Sequence, residues 1–406
     1  MSTVPASNPI KPVDEVVPER AGVSQAIARR ALLPLDPLLT LAVLGLMACS
    51  LMTIAGATSD DIPGQPDYYV IRQAAYGGVG IVLMLLVSRF DYSRLRDLKY
   101  GLYGFLIGSI VLVFGLATAT RGSRRWIELP FFNFQPSELG KVLLVLVLAA
   151  FLVDRVRRLR DRDTTARVLL LALIPAALVM LQPDLGSALV YGIAALAVLF
   201  VAGTSWKHFA ALLALLAVAV GFTMVVAPAA GVQVLKPYQE ERLTAFLNPS
   251  DDPADAGYQQ NQSRIAIGSG QKTGRGAERA TQTRLNFLPE HHTDFIFAVV
   301  GEEYGFAGAA LVLSLYALLA WRGLRILTTA KNLYGAIVAG GIVCILLWQI
   351  FVNVGMTIGI MPITGVPLPL MSYGGSSVLV TFLAVGLLQS IYVQGRVATR
   401  GKRAFA

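Results

Sequence analysis

The chain has 406 residues, 55% of them hydrophobic and only 15% charged, with a formal net charge of +9. A soluble globular domain carries nearer a quarter charged residues, so this balance argues against a soluble enzyme and for a bilayer. The basic residues sit in short loops between apolar runs, which speaks against a nucleic-acid partner, and Cys49 and Cys344 both lie inside apolar runs, where thiols pack as small hydrophobes.

Residues 1–35 are polar and Pro-rich with no apolar h-region, and read as a disordered cytoplasmic tail rather than a cleaved signal peptide. Ten apolar stretches follow as one domain over 36–396, at about 36–57, 69–88, 101–119, 137–155, 166–182, 187–203, 207–228, 293–321, 333–359 and 374–394. Runs such as LTLAVLGLMACSLMTIAGA (40–58) hold no interior charge. Only a helix satisfies its own backbone groups in lipid, so each stretch is expected to span the membrane. The fold class expected is an all-α polytopic membrane protein of about ten transmembrane helices. A long outer loop at about 229–292 separates the seventh and eighth, and residues 397–406 form a basic tail.

Loop charges set the orientation. Arg89, Arg94, Arg96 and Lys99 follow span two; Arg155 to Arg167 supply six arginines after span four; Arg322, Arg325 and Lys331 follow span eight; Arg396 to Arg403 close the chain. All fall on one side, which places that side and both termini in the cytoplasm. Two outer loops depart from the pattern. The loop at 229–292 carries seven basic and seven acidic residues, and long loops translocate largely regardless of charge. The short loop TRGSRRWIELPFFNFQPSEL carries Arg121, Arg124 and Arg125 and calls for a functional reason.

Four blocks hold the candidate chemistry. In LPEHHTDFIFAVVGEEYGF (288–306), Glu290, His291, His292 and Asp294 precede an apolar run that contains Glu302 and Glu303. Thr293 or Asp294 as a helix N-cap is the plain reading. Asp294 or Glu290 as a general base at a cavity rim is the functional one, with His292 beside it as a substrate contact. A helix N-terminus stabilises a carboxylate and lowers its basicity, which burial must offset. A zinc site built from this block alone is not expected, because ligands at a loop–helix junction have no geometry set by spacing. No resident cofactor is assigned; a Mg²⁺ or Mn²⁺ ion shared with a substrate phosphate is the candidate cation.

In FQPSELGK (134–141), Pro136 and Ser137 suit a helix start, and Glu138 and Lys141 fall on one face. They form either a local ion pair or a site in which Lys141 converges with Arg124 and Arg125 on a diphosphate. In LQPDLGSALV (181–190), Asp184 is a turn residue or a third acid at the same mouth. In GIMPITGVPLPLMSYGGSS (359–377), four glycines and three prolines interrupt the apolar pattern. Irregular backbone at membrane depth is tolerated where it lines a cavity, and Ser372 and Gly374 there are candidate substrate contacts in a Gly-rich nest.

Together these blocks resemble the SEDS family of cell-wall polymerases, over roughly 36–396. The resembling residues run through LKPYQEERLTAFLNPSDDPADAGYQQNQSRIAIGSG, TQTRLNFLPEHHTDFIFAVVGEEYGF and MPITGVPLPLMSYGGSS. The IAIGSG and TQ-x-x-L pieces favour the RodA branch over the FtsW branch. The resemblance implies ten helices and peptidoglycan glycosyltransferase activity on lipid II at the outer face of the bacterial cytoplasmic membrane, in cell elongation and shape. It places the family's essential aspartate on Asp294, and it implies a class B penicillin-binding protein as partner. Trp348, Phe351 and Gly355 of span nine are candidates for that contact, although core packing is the commoner use. The sequence departs from the family at Gln271 and Ala280, where glycines are usual. The alternatives are a lipid II flippase or transporter, the division polymerase, and a non-catalytic scaffold.

Overall fold

A computed structural model describes residues 35–59, 61–116, 125–128, 132–223, 246 and 256–404. The expected N-terminal tail, Arg121, Arg124 and most of 224–255 lie outside the described residues.

The helices follow the apolar runs closely. They are α1 (Pro37–Ala57), α2 (Tyr68–Arg89), α3 (Lys99–Leu116), α4 (Pro136–Val153), α5 (Arg162–Leu181), α6 (Leu185–Val201), α7 (Trp206–Gly221), α8 (Ala256–Gly270), α9 (Thr281–Arg284), α10 (Ile296–Thr329), α11 (Leu333–Ile358) and α12 (Gly375–Ala404). Seven of them are long and apolar enough to cross a membrane; α3, α6 and α7 are shorter apolar helices at the other three expected spans. The chain is a multi-pass membrane protein. Two features were not expected. Ala256–Gly270 forms a helix inside the region read as loop, and a two-stranded hairpin, β1 (Ile127–Glu128) with β2 (Asn133–Phe134), precedes α4.

Packing makes α4 the axis of the bundle. Of the seven long spans it is the most enclosed, with 83% of its apolar window buried against 22% for α2. It contacts α3, α5, α6, α11 and α12. Gly140 permits this density, because a Cβ there would come within 1.9 Å of the Tyr191 hydroxyl on α6. Half-exposed Val82, Leu86, Leu170, Leu173, Leu213 and Leu216 face outward from α2, α5 and α7, as hydrocarbon requires. Of the expected partner-facing residues, Phe351 is 52% exposed, Trp348 is partly buried, and Gly355 is buried against Met361.

The two ends of the bundle differ in chemistry. At one end Asp36 caps α1, accepting from Leu39 N at 2.9 Å, and pairs with Arg322 of α10. Gln389 of α12 receives the Asp36 N–H at 2.8 Å. On the same side Asp154 pairs with Arg96 and Lys99, and Lys331 pairs with Asp91. Burial works against the charge of Asp154, but the Lys99 and Arg96 hydrogen bonds prevail and hold its carboxyl below the usual value.

At the other end the region between α8 and α10 is built onto the bundle. Ser263 donates to Thr357 O at 2.8 Å and Gln260 to Met361 O at 3.1 Å, docking α8 on α11. Gly305 breaks α10 with φ +65°, a left-handed conformation that favours glycine. The backbone groups around the break find partners in the 270–276 loop. Phe306 N donates to Gln271 O, Ala307 N to Lys272 O, Arg275 N to Glu302 O and Gly276 N to Glu303 O. Gln271 itself sits at φ +49°, where a glycine would be unstrained.

Candidate active site

A cavity of about 310 Å³ opens at the end of the bundle that carries the α8–α10 connection. Its walls come from five places distant in sequence. Arg72 and Tyr76 come from α2, Arg125 and Asn133 from the hairpin region, Glu138 and Asp184 from the starts of α4 and α6. Thr293 and Asp294 precede α10, and Gly365, Tyr373 and Gly374 belong to the irregular segment before α12.

Asp294 lies one residue before the N-cap of α10, which is Phe295 and has no side-chain cap bond. Neither Thr293 nor Asp294 is therefore the cap. Thr293 Oγ1 turns back to Glu290, donating towards its backbone oxygen at 3.2 Å and its carboxylate at 3.1 Å. The loop is stitched to the 361–377 segment by three contacts. The buried Asn353 Nδ2 of α11 donates to Asp294 O at 2.9 Å and to Val366 O at 2.8 Å. Ser372 Oγ donates to Thr293 O at 2.5 Å and accepts from Leu368 N at 2.8 Å. Tyr373 N donates to His292 O at 2.9 Å. Gly365 has φ +69°, and a Cβ there would stand 3.4 Å from Asp294 Oδ2. Backbone thus closes against the carboxylate, and the clamps aim it at the cavity.

Two guanidinium groups line the same space. Arg125 Nε donates to Gln182 O at 3.1 Å and its Nη2 to Pro183 O, which engages two of five N–H donors and orients the rest. Arg72 lies with its guanidinium 4.5 Å above the Tyr68 ring. Burial pushes the Tyr373 hydroxyl well above its ordinary value, so it stays a proton-bearing donor at the cavity wall.

Asp184 caps α6, accepting from Ser187 N at 3.0 Å, and its other oxygen accepts from Gln135 Nε2 at 3.1 Å. The turn reading and the cavity reading of Asp184 therefore both hold. Glu138 and Lys141 are 4% and 3% exposed and pair at 2.5 Å. Lys141 borders a separate narrow crevice among α4, α11 and α12 and does not join Arg125 at the mouth. A buried ammonium without its partner is strongly unfavourable, so the ion pair prevails over a cation aimed at substrate. Glu290, His292 and Ser372 stand behind the wall rather than in it. Arg72, Tyr373 and Asn353 were not singled out from sequence. Arg72 and Asn353 were findable as polar residues inside apolar runs.

Comparisons with known proteins place nearly the whole chain in a family. The family model described as cell cycle protein, covering FtsW, RodA and SpoVE, matches residues 33–397. The peptidoglycan glycosyltransferase MrdB of Escherichia coli K12 is 37% identical over 366 residues, 90% of this chain and 95% of that protein. A probable peptidoglycan glycosyltransferase FtsW of Thioalkalivibrio sulfidiphilus is 39% identical over 368 residues, 88% of this chain and 89% of its own. Among solved structures, a chain of a peptidoglycan synthase complex that coordinates polymerisation and crosslinking superposes with a TM-score of 0.75 at 33% identity, covering 89% of this chain and 99% of that one. The rod shape determining protein RodA of Thermus thermophilus superposes with a TM-score of 0.64 at 29% identity, covering 89% and 97%. With residues 33–397 matched by the family model and relatives at 37% identity over 90% of its length, the chain belongs to the FtsW/RodA/SpoVE family.

Proposed function

We propose that the protein is a peptidoglycan glycosyltransferase of the RodA type, polymerising lipid II into glycan strands at the outer face of the cytoplasmic membrane for elongation and cell shape. The observation that carries this reading is that one cavity gathers the Asp294 carboxylate with the Arg72 and Arg125 guanidiniums. A carboxylate and two fixed cations are what a glycosyl transfer from a diphosphate donor requires. Asp294 takes the proton from the 4-hydroxyl of the acceptor sugar as that oxygen attacks the anomeric carbon of the donor MurNAc. The bond from that carbon to the diphosphate oxygen breaks, and undecaprenyl diphosphate leaves with the electron pair. Arg72 and Arg125 meet the departing charge. An α-linked donor and a β-linked product correspond to a single inverting displacement. The long polyprenyl chain of the donor explains why such a site sits on a helical bundle.

A resident Mg²⁺ or Mn²⁺ ion finds a poor donor set here. Glu138 is paired with Lys141, and both Asp184 oxygens accept hydrogen bonds. We assign any such cation to the diphosphate that arrives with the substrate, because Mg²⁺ commonly bridges phosphate oxygens. Transport fits less well, because a carrier places its charged groups at mid-membrane between two mouths, whereas these lining residues come from one end of the bundle. The likeness to a chain of a peptidoglycan synthase complex supports a class B penicillin-binding protein as partner. We also propose that the Asp36 end, with both termini, faces the cytoplasm, in keeping with its basic loops.

The test is lipid II polymerisation by purified wild type and Asp294→Asn, with and without divalent cations. Loss of the base is expected to slow polymerisation by about 10² to 10⁴-fold. Normal polymerisation by Asp294→Asn would refute the general-base role.

A further inference from the structure

His291 and His292 stand three and two residues before Asp294, outside the cavity, and face a third residue far from them in the chain. Asp61, in the turn between α1 and α2, places its Oδ2 3.4 Å from His291 Nε2 and 3.9 Å from His292 Nδ1. One potential ligand atom from each residue lies within 4.8 Å of the other two. The three side chains are 14%, 5% and 17% exposed.

The 3.4 Å between Asp61 Oδ2 and His291 Nε2 is the spacing of two ligands on one ion, and the wider 3.9 Å to His292 Nδ1 requires that ring to draw in by about 0.5 Å on binding. The 3.4 Å separation exceeds the roughly 2.7 to 3.2 Å of an N–H···O bond. Two ligands about 2.0 to 2.1 Å from a tetrahedral zinc ion lie about 3.4 Å apart. His291 Nδ1 is 3.1 Å from Leu288 O, and a carbonyl only accepts, so Nδ1 carries the proton. In the neutral ring Nε2 then presents a lone pair to the cluster. A ligating histidine oriented by a backbone carbonyl at its other nitrogen is the usual outer-shell arrangement. His291 Nε2 is buried and makes no hydrogen bond among the described residues. The His292 ring is held between Tyr69 and Tyr373, with centroids 4.7 and 5.7 Å away.

We propose that Asp61, His291 and His292 form a binding site for a divalent transition metal of the zinc class, with a position left for water. Two imidazoles and one carboxylate select Zn²⁺ or Co²⁺ over the oxygen-seeking Mg²⁺ and Ca²⁺. The ion ties the α1–α2 turn to the loop that delivers Asp294, so its role is to position that loop. The site is separate from any cation carried by a diphosphate, and its test needs no substrate.

The experiment uses the full chain in detergent, purified without a polyhistidine tag, stripped with chelator and dialysed against Zn²⁺. Bound metal is counted by mass spectrometry for wild type, Asp61→Asn, His291→Gln and His208→Gln. The control His208 lies away from this cluster, 2.8 Å from Thr165 Oγ1. One zinc per chain is expected in wild type and His208→Gln, unaffected by excess Mg²⁺. Affinity is expected to fall about 100-fold or more in His291→Gln and in Asp61→Asn, as loss of one of three ligands implies. Wild type that binds no zinc, or a His291→Gln variant that keeps its zinc, overturns the proposal. If the variants aggregate, the wild-type Co²⁺ spectrum decides. Visible bands of a histidine-ligated, low-coordinate ion support the site, and a spectrum of hexa-aquo cobalt alone overturns it.

Discussion

Asn353 offers the sharpest test of how Asp294 is held. Its single amide nitrogen donates to Asp294 O and to Val366 O, bridging the loop before α10 to the segment that contains Gly365. Replacing it with leucine keeps most of the volume and removes the donor. Each bond contributes about 1 kcal/mol net, and a buried carbonyl left without a donor costs about 1–3 kcal/mol. Some of this is offset, because Asn353 Oδ1 is itself buried without a hydrogen-bond partner among the described residues, and leucine removes that burden. The balance is a destabilisation of about 2–4 kcal/mol. At roughly 2 °C per kcal/mol for a chain of this size, the melting temperature in detergent should fall by about 4–8 °C. The released loop should also lose aim. A displacement on the order of 1 Å in a catalytic group lowers turnover about 10²-fold. The assays are thermal unfolding and lipid II polymerisation on one preparation. A leucine variant that melts within about 1 °C of wild type and polymerises normally would refute the clamp.

Three other perturbations probe the rest of the frame. Asp36→Asn should destabilise the protein by about 3 kcal/mol, because it keeps a capping oxygen but leaves the half-buried Arg322 without its carboxylate, measured as a loss of thermal stability that Arg322→Met in the same chain partly rescues. Gln271→Gly should raise stability by about 0.5–1 kcal/mol, since it relieves a side chain at φ +49°; an unchanged melting temperature would count against strain there. The depressed carboxyl of Asp154 should stabilise the native state above its ordinary value of 3.8, and that contribution should disappear as pH falls through the lower native value. Asp154→Asn should therefore flatten the acid limb of a stability–pH profile, and an identical acid limb would exclude the pairing with Lys99 and Arg96.

Much of the architecture was legible in the residues alone. Each apolar run of about twenty residues had one stable form in lipid, so a helix could be placed at each of the ten runs, although α10 and α12 run eight and ten residues past the expected ends at 321 and 394. The acid of the LPEHHTDF block and the basic short loop were also marked, because charge near a membrane surface is rare enough to stand out. Spacing could not say which charges meet. Glu138 and Lys141 read equally as a pair or as a site, and only the burial of both around α4 settled them as a pair. Asn353 and Tyr373 reach the Asp294 loop, and Arg72 the cavity it lines, from three different helices or turns, and no local pattern links positions so far apart. The same holds for Asp61 and the two histidines, which are 230 and 231 residues apart in the chain and adjacent in space. Helix formation is a local contest with lipid, decided within each run. The composition of the cavity depends on how the helices pack, and that is decided by the volumes and small-residue contacts of the whole bundle.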